Sequence, residues 1–430
     1  MITLLNQART NDNLESWIIM TELISSRGTS ECRACRSLEL VSVLDLGAQP
    51  LPSEYGRTAD DVLDVFPLRM RICQACGLGQ LGEYVLPERI FHDAYPYLSS
   101  ASTTWVEHAR KYANAMKTSL GLNAQSLVIE LASNDGYLLS AFQKLGVPVL
   151  GVEPADNVAS IAREAGVPTL TEFFGARAAE EILATHGHPR LIVANNVFAH
   201  IPDMHDFMAG MSILADDRTV ITIENPSFAV LLQETLFDTI YHEHYSYLTA
   251  HSVRVVAQAH GLDLVHVDQL PTHGGSNRYW LSRSRTVDDT VNATLEAERC
   301  AGLFDPNEWA AFAARASTAI EGLRAWFLKH RQGGDVVVGY GAAHKGNTFL
   351  NAVGEASRTL AYVVDASKEK QGKFLPGSQV PVLAPEQLAL AHPTDVLILP
   401  WNIATELVER IRRLTPNARI WVAQPMMRQL

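Results

Sequence analysis

Leu127-Val128-Ile129-Glu130-Leu131-Ala132-Ser133-Asn134-Asp135-Gly136 is the stretch that decides the fold. Its first six residues are apolar apart from Glu130, as in a strand covered on both faces of a parallel sheet. Ser133, Asn134, Asp135 and Gly136 then make a tight polar turn, and a helix is expected to start near Tyr137. A strand, a glycine turn and a helix put a nucleotide-type site at the strand's carboxyl end. The turn is not Gly-x-Gly-x-x-Gly, so it implies no pyrophosphate cradle.

Seventeen residues beyond Gly136, Val149-Leu-Gly-Val-Glu153-Pro ends a second strand in a carboxylate. A doubly wound fold holds a ribose diol at that place. Taken alone, Glu153 would read as a charge at a helix N-terminus. Together with the turn it fits S-adenosylmethionine better than a dinucleotide, with Glu130, Ser133, Asn134, Asp135, Gly136 and Glu153 as cofactor contacts. Leu191-Ile-Val-Ala-Asn195-Asn196 reads as a fourth strand whose polar end, Asn195 and Asn196, faces donor and acceptor. His200 follows it closely, as a second active-site imidazole or a core histidine. Val220-Ile-Thr-Ile-Glu224-Asn-Pro226 reads as the fifth strand.

Phe237-Asp-Thr-Ile240-Tyr241-His242-Glu243-His244-Tyr245 comes next, over the same sheet edge. Five consecutive residues carry two imidazoles, a carboxylate and two phenols. Read as an extended strand, period two puts His242 and His244 on one face and Tyr241, Glu243 and Tyr245 on the other. A general base needs an imidazole near neutral pKa and a neighbour that orients it. Either histidine qualifies, with Glu243 or a tyrosine in support; the competing readings are a polar edge strand and a partial metal site. His273-Gly-Gly-Ser276-Asn-Arg278-Tyr-Trp opens a late strand, where Ser276 and Arg278 are expected to meet an acceptor's hydroxyl or phosphate. Upstream, Tyr95-Pro-Tyr97-Leu-Ser99-Ser-Ala-Ser is a linker with two phenols and three hydroxyls.

Towards the N-terminus, Cys32-Arg-Ala-Cys35 and Cys73-Gln-Ala-Cys76 enclose 37 residues, 36 to 72. Two such pairs suit a structural tetrahedral zinc, and four thiolates leave no open position for catalysis. The intervening segment carries strands of its own, at 41–46 and 66–72, and Gly77 suits a tight turn after the second pair. Cys300 stands alone and is expected to be buried. Residues 1–30 form a weakly ordered leader with a short helix at about 14–24.

Towards the C-terminus, residues 287–331 have helical spacing. Asp335-Val-Val-Val-Gly339-Tyr340-Gly341-Ala-Ala-His-Lys345-Gly346-Asn347-Thr348 is again strand, glycine turn and helix start. Backbone N–H groups there attract phosphate, and Lys345 adds a positive charge. Tyr362-Val-Val-Asp365 ends a second strand in an acid, 24 residues beyond Gly341. This pair alone would suggest a nicotinamide dinucleotide. Residues 368–376 make a basic loop, with Lys373 suited to a diphosphate. Asp395-Val-Leu-Ile-Leu-Pro-Trp401-Asn402 is a further buried strand with its polar end at the same crevice.

The chain has 430 residues, room for two to four domains, and 47% hydrophobic residues. A net charge of −12 argues against a general nucleic-acid binder. No apolar run reaches membrane-spanning length. Five cysteines are not a disulfide scaffold. A cytoplasmic monomer without membrane or nucleic-acid partners is expected.

In order, these motifs resemble the nucleotide-sugar C-methyltransferases of deoxysugar biosynthesis, closest to the type acting at C3 of dTDP-4-keto-6-deoxyhexoses. The resemblance runs from about Cys32 to the C-terminus. It rests on the paired cysteines, Tyr-x-Tyr-x-Ser-Ser, Ser-Asn-Asp-Gly, Asn-Asn-Val-Phe-Ala-His, Phe-Asp-Thr-Ile-Tyr-His-Glu-His, His-Gly-Gly-Ser, Gly-Tyr-Gly-Ala-Ala-x-Lys-Gly-Asn and Leu-Pro-Trp-Asn. It implies an α/β fold with a zinc domain at 31–85, a central Rossmann-like S-adenosylmethionine domain at 86–285 and a C-terminal Rossmann-like sugar-nucleotide domain at 286–430. It implies His244 as base, with Tyr241, Glu243, His200 and Tyr95 in the catalytic group. Tyr97, Ser99, His242, Ser276, Arg278, Tyr340, Lys345, Asn347 and Lys373 are then candidates to bind the sugar nucleotide. One departure is Ala132, where the family has glycine; a methyl there would crowd the donor. The competing functions are a nicotinamide-dependent sugar oxidoreductase on the 339–341 turn and a zinc-ribbon binding protein without catalysis.

Overall fold

The structure, a computed structural model, describes residues 27–91, 95 and 97–430. The leader and its helix at 14–24 fall on residues 1–26, outside the described residues, apart from the leader's last four. Among the described residues no helix is long and apolar enough to cross a membrane.

The N-terminal module holds β1 (Arg27–Gly28), β2 (Leu40–Pro50), β3 (Val65–Cys73), β4 (Gly79–Leu81) and β5 (Glu83–Tyr84). β1 pairs with β5. β2, β3 and β4 form an antiparallel sheet whose fourth member comes from far along the chain: β11 (Ser246–Tyr247) pairs with β4. At Gly77, φ is +69° and an added Cβ would lie 2.7 Å from Leu303 Cδ2, so both conformation and space exclude a side chain.

The central sheet contains β6 (Val128–Leu131), β7 (Val149–Val152), β8 (Thr169–Leu170), β9 (Leu191–Asn195), β10 (Val220–Pro226), β12 (Asp263–Leu270) and β13 (Ser276–Ser282). Its order is β12-β13-β10-β9-β6-β7-β8. β8, β7, β6, β9 and β10 run parallel, and β13 is antiparallel to both β10 and β12. The order reverses at β6, which has β7 on one side and β9 on the other. Open α/β sheets bind ligands outside the carboxyl ends of strands at such a switch point. The helix Tyr137–Lys144 starts directly after Gly136.

The third sheet has β14 (Val337–Tyr340), β15 (Leu360–Val364), β16 (Val382–Leu383), β17 (Asp395–Ile398), β18 (Arg419–Val422) and β19 (Arg428–Gln429), in the order β16-β15-β14-β17-β18-β19. All pairs are parallel except β18 with β19. Its switch point is β14.

The helix Pro306–Gly333 ties the parts together. Asp305 caps its start through Asn307 N, and Gly334 ends it at φ +71°. Trp309, Phe312, Ala316, Ala319, Leu323 and Phe327 recur at three- and four-residue spacing and are buried. They share one core with Leu68 and Met70 of β3, with Phe228 and Phe237, and with Val363 and Leu397 of the third sheet. Burying side chains such as Phe312 and Phe327 stabilises the fold by about 1.5–3 kcal/mol each. Cys300 was expected in the core, but it is exposed, at the end of the helix Asp289–Cys300, with its thiol against Glu296. The helix's apolar stripe contains Val291 and Leu295, and position 300 lies off it.

Candidate active site

The donor crevice forms at the carboxyl ends of β6, β7 and β9. Gly136 sits at φ +76°, and an added Cβ would come within 3.0 Å of Val167. Ala132 and Asn134 also have positive φ, +52° and +50°. Asn134 N donates to Glu153 Oε2 and Ala155 N to Glu153 Oε1, each at 2.9 Å. Glu153 therefore holds the turn in shape from below. The linker folds over the top: Ser99 N donates to Asn134 Oδ1 at 2.8 Å and Ser100 N to Asp135 Oδ2 at 3.1 Å. Ser133 Oγ, Asp135 Oδ1, Glu130 Oε2, Asn195 Oδ1 and Asn196 Oδ1 are buried without a partner. Buried polar atoms are rarely left unpaired. This ring of free acceptors, and one hydroxyl, suits a ligand rich in hydroxyl and amino groups such as S-adenosylmethionine. Burial raises the Glu130 carboxyl well above the ordinary range.

The second crevice lies between the central sheet and the third. Residues 241–245 are not an extended strand, which corrects the period-two reading. His244 N donates to Tyr241 O at 2.9 Å and closes a turn, so the two histidines part. His242 turns to the N-terminal module, buried, with its Nε2 3.1 Å from Phe66 O. His244 turns to the crevice. Its Nδ1 lies 2.9 Å from Thr239 O, and its Nε2 lies 2.9 Å from the Tyr241 hydroxyl. The His200 ring stands against it at 4.8 Å between centroids, with its Nδ1 unpartnered. Since His200 follows directly on β9, the imidazole pair sits beside the polar end of the donor crevice. Burial, reinforced by His200, holds the His244 pKa well below 6.5, so the ring is neutral at pH 7. Burial likewise keeps Tyr241 protonated.

Burial alone would raise the Glu243 carboxyl, but His344, whose Nδ1 lies 3.4 Å from Oε2, together with His200 outweighs that and lowers it to about 2. Its Oε1 has no partner. Tyr95 is half-buried, its ring 5.4 Å from that of Phe91. Lys345 lies 4.8 Å over the Trp401 ring and donates to Asn402 Oδ1 at 3.1 Å. Trp401 Nε1 in turn donates to Asp238 Oδ2 at 2.7 Å across the two sheets' crevice. Burial pushes Asp238 up to about 6, against the pull of Lys345. Asn347 is buried with both amide atoms unpartnered.

Several expected contacts lie elsewhere. Arg278 was expected to meet the acceptor, but it faces Glu224 directly across β10 and β13 and donates to it at 2.5 Å. Its guanidinium covers the Tyr112 ring. Ser276 Oγ donates to Thr272 O within its own turn. Ser99 serves the donor turn through its main chain. Tyr97 does so too, its carbonyl taking the Asn134 amide at 3.2 Å, while its side chain is exposed. The Tyr340 ring packs among Val338, Tyr362 and Ile398. Lys373 is half-buried, and the cation that reaches the 339–341 turn is Lys370, 2.8 Å from Ala342 O and 3.7 Å from Asp365.

Sequence reasoning missed Tyr55, whose hydroxyl donates to the same Ala342 O at 2.7 Å from the N-terminal module. It also missed Asp238, His344, Lys370 and Trp105. The Trp105 ring lies between those of His108, at 4.9 Å, and His273, at 5.3 Å. Asp238 and His344 sit inside motifs already singled out, so those motifs were the available signal.

The paired cysteines converge. Sγ of Cys32 and Cys76, and of Cys35 and Cys73, are 3.5 Å apart, and all four lie within 4.8 Å of one another. Tetrahedral zinc–sulfur bonds require sulfurs about 3.8 Å apart, so the set fits a zinc ion.

Three family profiles match in order. A zinc binding domain covers residues 32–91, a methyltransferase domain 105–267 and a C-methyltransferase C-terminal domain 271–424. The chain is 34% identical over 396 residues to the C-methyltransferase NovU of Streptomyces niveus, across 91% of this chain and 94% of NovU. The chain belongs to the C-methyltransferase family. This C-methyltransferase uses S-adenosylmethionine as donor and has a zinc-binding domain with four cysteines close together. That answers the two competing functions: the glycine turn at 339–341 lies in the family's C-terminal domain, and the cysteine module is part of an enzyme. Among solved structures, magnesium protoporphyrin IX methyltransferase of Synechocystis overlaps 42% of this chain and 83% of its own, at 13% identity and a TM-score of 0.33. The CcbJ methyltransferase of Streptomyces caelestis overlaps 41% and 90%, at 13% identity and a TM-score of 0.32. Overlaps this slight carry no inference.

Proposed function

We propose that this C-methyltransferase methylates a nucleotide-linked 4-keto-6-deoxysugar at the carbon beside its ketone, C3 of a dTDP-4-keto-6-deoxyhexose, in a deoxysugar pathway for an antibiotic. The observation that carries the reading is the half-buried, neutral His244 beside the donor crevice, held at both ring nitrogens. A sugar carbon is not acidic enough to react unless a neighbouring carbonyl stabilises its anion. His244 takes that proton on Nε2. The electron pair moves into the enolate, whose carbon attacks the sulfonium methyl group. The carbon–sulfur bond breaks, leaving S-adenosylhomocysteine and the methylated ketone. A correctly placed base contributes ~10²–10⁴-fold. Tyr241 is the donor available to the enolate oxygen, His200 stands against the base, and Glu243 Oε1 is an acceptor for a sugar hydroxyl or amine. Lys345 and Lys370 border the crevice, where the diphosphate would lie.

The test is His244→Ala and His244→Asn with the 4-keto sugar nucleotide and S-adenosylmethionine in heavy water. Both variants should keep S-adenosylhomocysteine binding and lose methyl transfer together with solvent exchange at C3. Exchange at the wild-type rate in either variant removes His244 as base. Absence of transfer by the wild type to this sugar class removes the substrate assignment.

A further inference from the structure

Arg33 stands between two of the zinc ligands, Cys32 and Cys35, and is only 5% exposed. Its Nη1 donates to Tyr245 O at 2.6 Å, and its own main-chain N donates to Gln80 Oε1 at 2.9 Å. The guanidinium lies 5.2 Å from the Tyr84 ring and 6.0 Å from the Tyr245 ring, and its Nε and Nη2 have no hydrogen-bond partner. Among the described residues no carboxylate is recorded in an ion pair with it.

Tyr245 is the residue after His244, and the other neighbours of that ring are tied to the same module. His242 bonds to Phe66 O of β3. The Tyr245 hydroxyl donates to Val85 O at 2.8 Å. Ser246 and Tyr247 ladder onto Gln80 and Gly79 of β4. His244 bonds instead within its own segment, to Thr239 and Tyr241, and Glu243 pairs with His344 of the third part. The turn is thus stretched between the cysteine module and the crevice.

We propose that Arg33 is a positioning residue that ties the cysteine module to the catalytic turn through Tyr245 O, so that the module sets the place of His244 as well as its own fold. The proposal rests on the reading of His244 as base, but the coupling has a readout that does not. The experiment uses full-length, zinc-loaded protein with Arg33→Met, which removes the side-chain donor, and Arg33→Lys, which keeps one. Zinc content, S-adenosylhomocysteine affinity, kcat and KM, and amide-hydrogen exchange across 241–247 are measured.

With zinc content and S-adenosylhomocysteine affinity unchanged, Arg33→Met should speed exchange across 241–247 about tenfold or more, with the rest of the central sheet unaffected. Its kcat should fall ~10–100-fold with little change in KM, as misplacement of a reacting group does. Arg33→Lys should recover part of both. Unchanged exchange in Arg33→Met overturns the proposal, as does loss of zinc at saturating metal, which would make Arg33 a folding residue of the knuckle. Faster exchange at wild-type kcat supports the coupling and removes His244 as base.

Discussion

The hydroxyl of Tyr241 lies 2.9 Å from Nε2 of His244, while Nδ1 of the same ring lies 2.9 Å from a carbonyl oxygen, Thr239 O. A carbonyl only accepts, so Nδ1 carries the ring's proton and Nε2 offers its lone pair to the phenol. The tautomer a base needs is therefore selected by the main chain of the same turn. The phenol guards the lone pair, and it must turn away or hand on its proton when the substrate arrives.

On the proposed mechanism, Tyr241→Phe removes that guard and an oxyanion donor together. We expect kcat to fall about 10²–10³-fold, the usual cost of losing one such donor, with S-adenosylhomocysteine affinity unchanged. Single-turnover rates decide the matter. A variant as fast as the wild type would mean that the phenol takes no part.

The pH profile follows from the ring's surroundings. Burial first, then His200, lowers the His244 pKa well below 6.5, and the base role proposed for it needs the neutral form. Activity is lost as pH falls through the folded-state pKa, so the acid midpoint of kcat/KM lies below 6.5. Tyr241, raised well above 10 by burial, stays protonated across the neutral range. An acid midpoint at or above 6.5 contradicts this account.

Ala132 has φ +52°, in the left-handed region where a Cβ crowds the following carbonyl. The strain costs roughly 1–2 kcal/mol, against about 0.4–1 kcal/mol that a glycine loses through greater freedom of the unfolded chain. Ala132→Gly should therefore stabilise the protein by about 0.5–1 kcal/mol in urea unfolding. A loss of stability on that substitution would show that the methyl has a packing role.

Trp401→Phe deletes the N–H that satisfies Asp238 Oδ2. Asp238 is fully buried and its other oxygen is already unpartnered. Leaving such a group unsatisfied costs about 1–3 kcal/mol. The variant should unfold at lower denaturant and show a raised KM for the proposed sugar-nucleotide acceptor. Unchanged KM with lowered stability would confine Trp401 to a structural part.

Much of this was legible in the chain because its signals are local. The 133–136 turn and the paired cysteines are chemistry at fixed short spacing, and the structure brings each group together. Two misreadings have non-local causes. At 241–245 period two sets the two histidines apart from Tyr241, Glu243 and Tyr245 as a strand would, whereas the Tyr241 O to His244 N bond makes the segment a turn. Arg278 looked free for an anion because Glu224, its partner across the ladder, lies 54 residues away. Arg33 and Tyr55 could not have been picked out, since each reaches a segment distant in sequence through a side-chain bond to one carbonyl.

The C-terminal family domain begins at residue 271, yet β13 (276–282) is a member of the central sheet, paired with β10 from Ile221 opposite Leu281 to Pro226 opposite Ser276. Anyone building chimeras to change acceptor preference would cut naturally at that border. Such a joint would import a foreign strand into the half that grips the methyl donor, together with its Arg278. Exchanges joined beyond Ser282 keep the recipient's own strand and leave that half native.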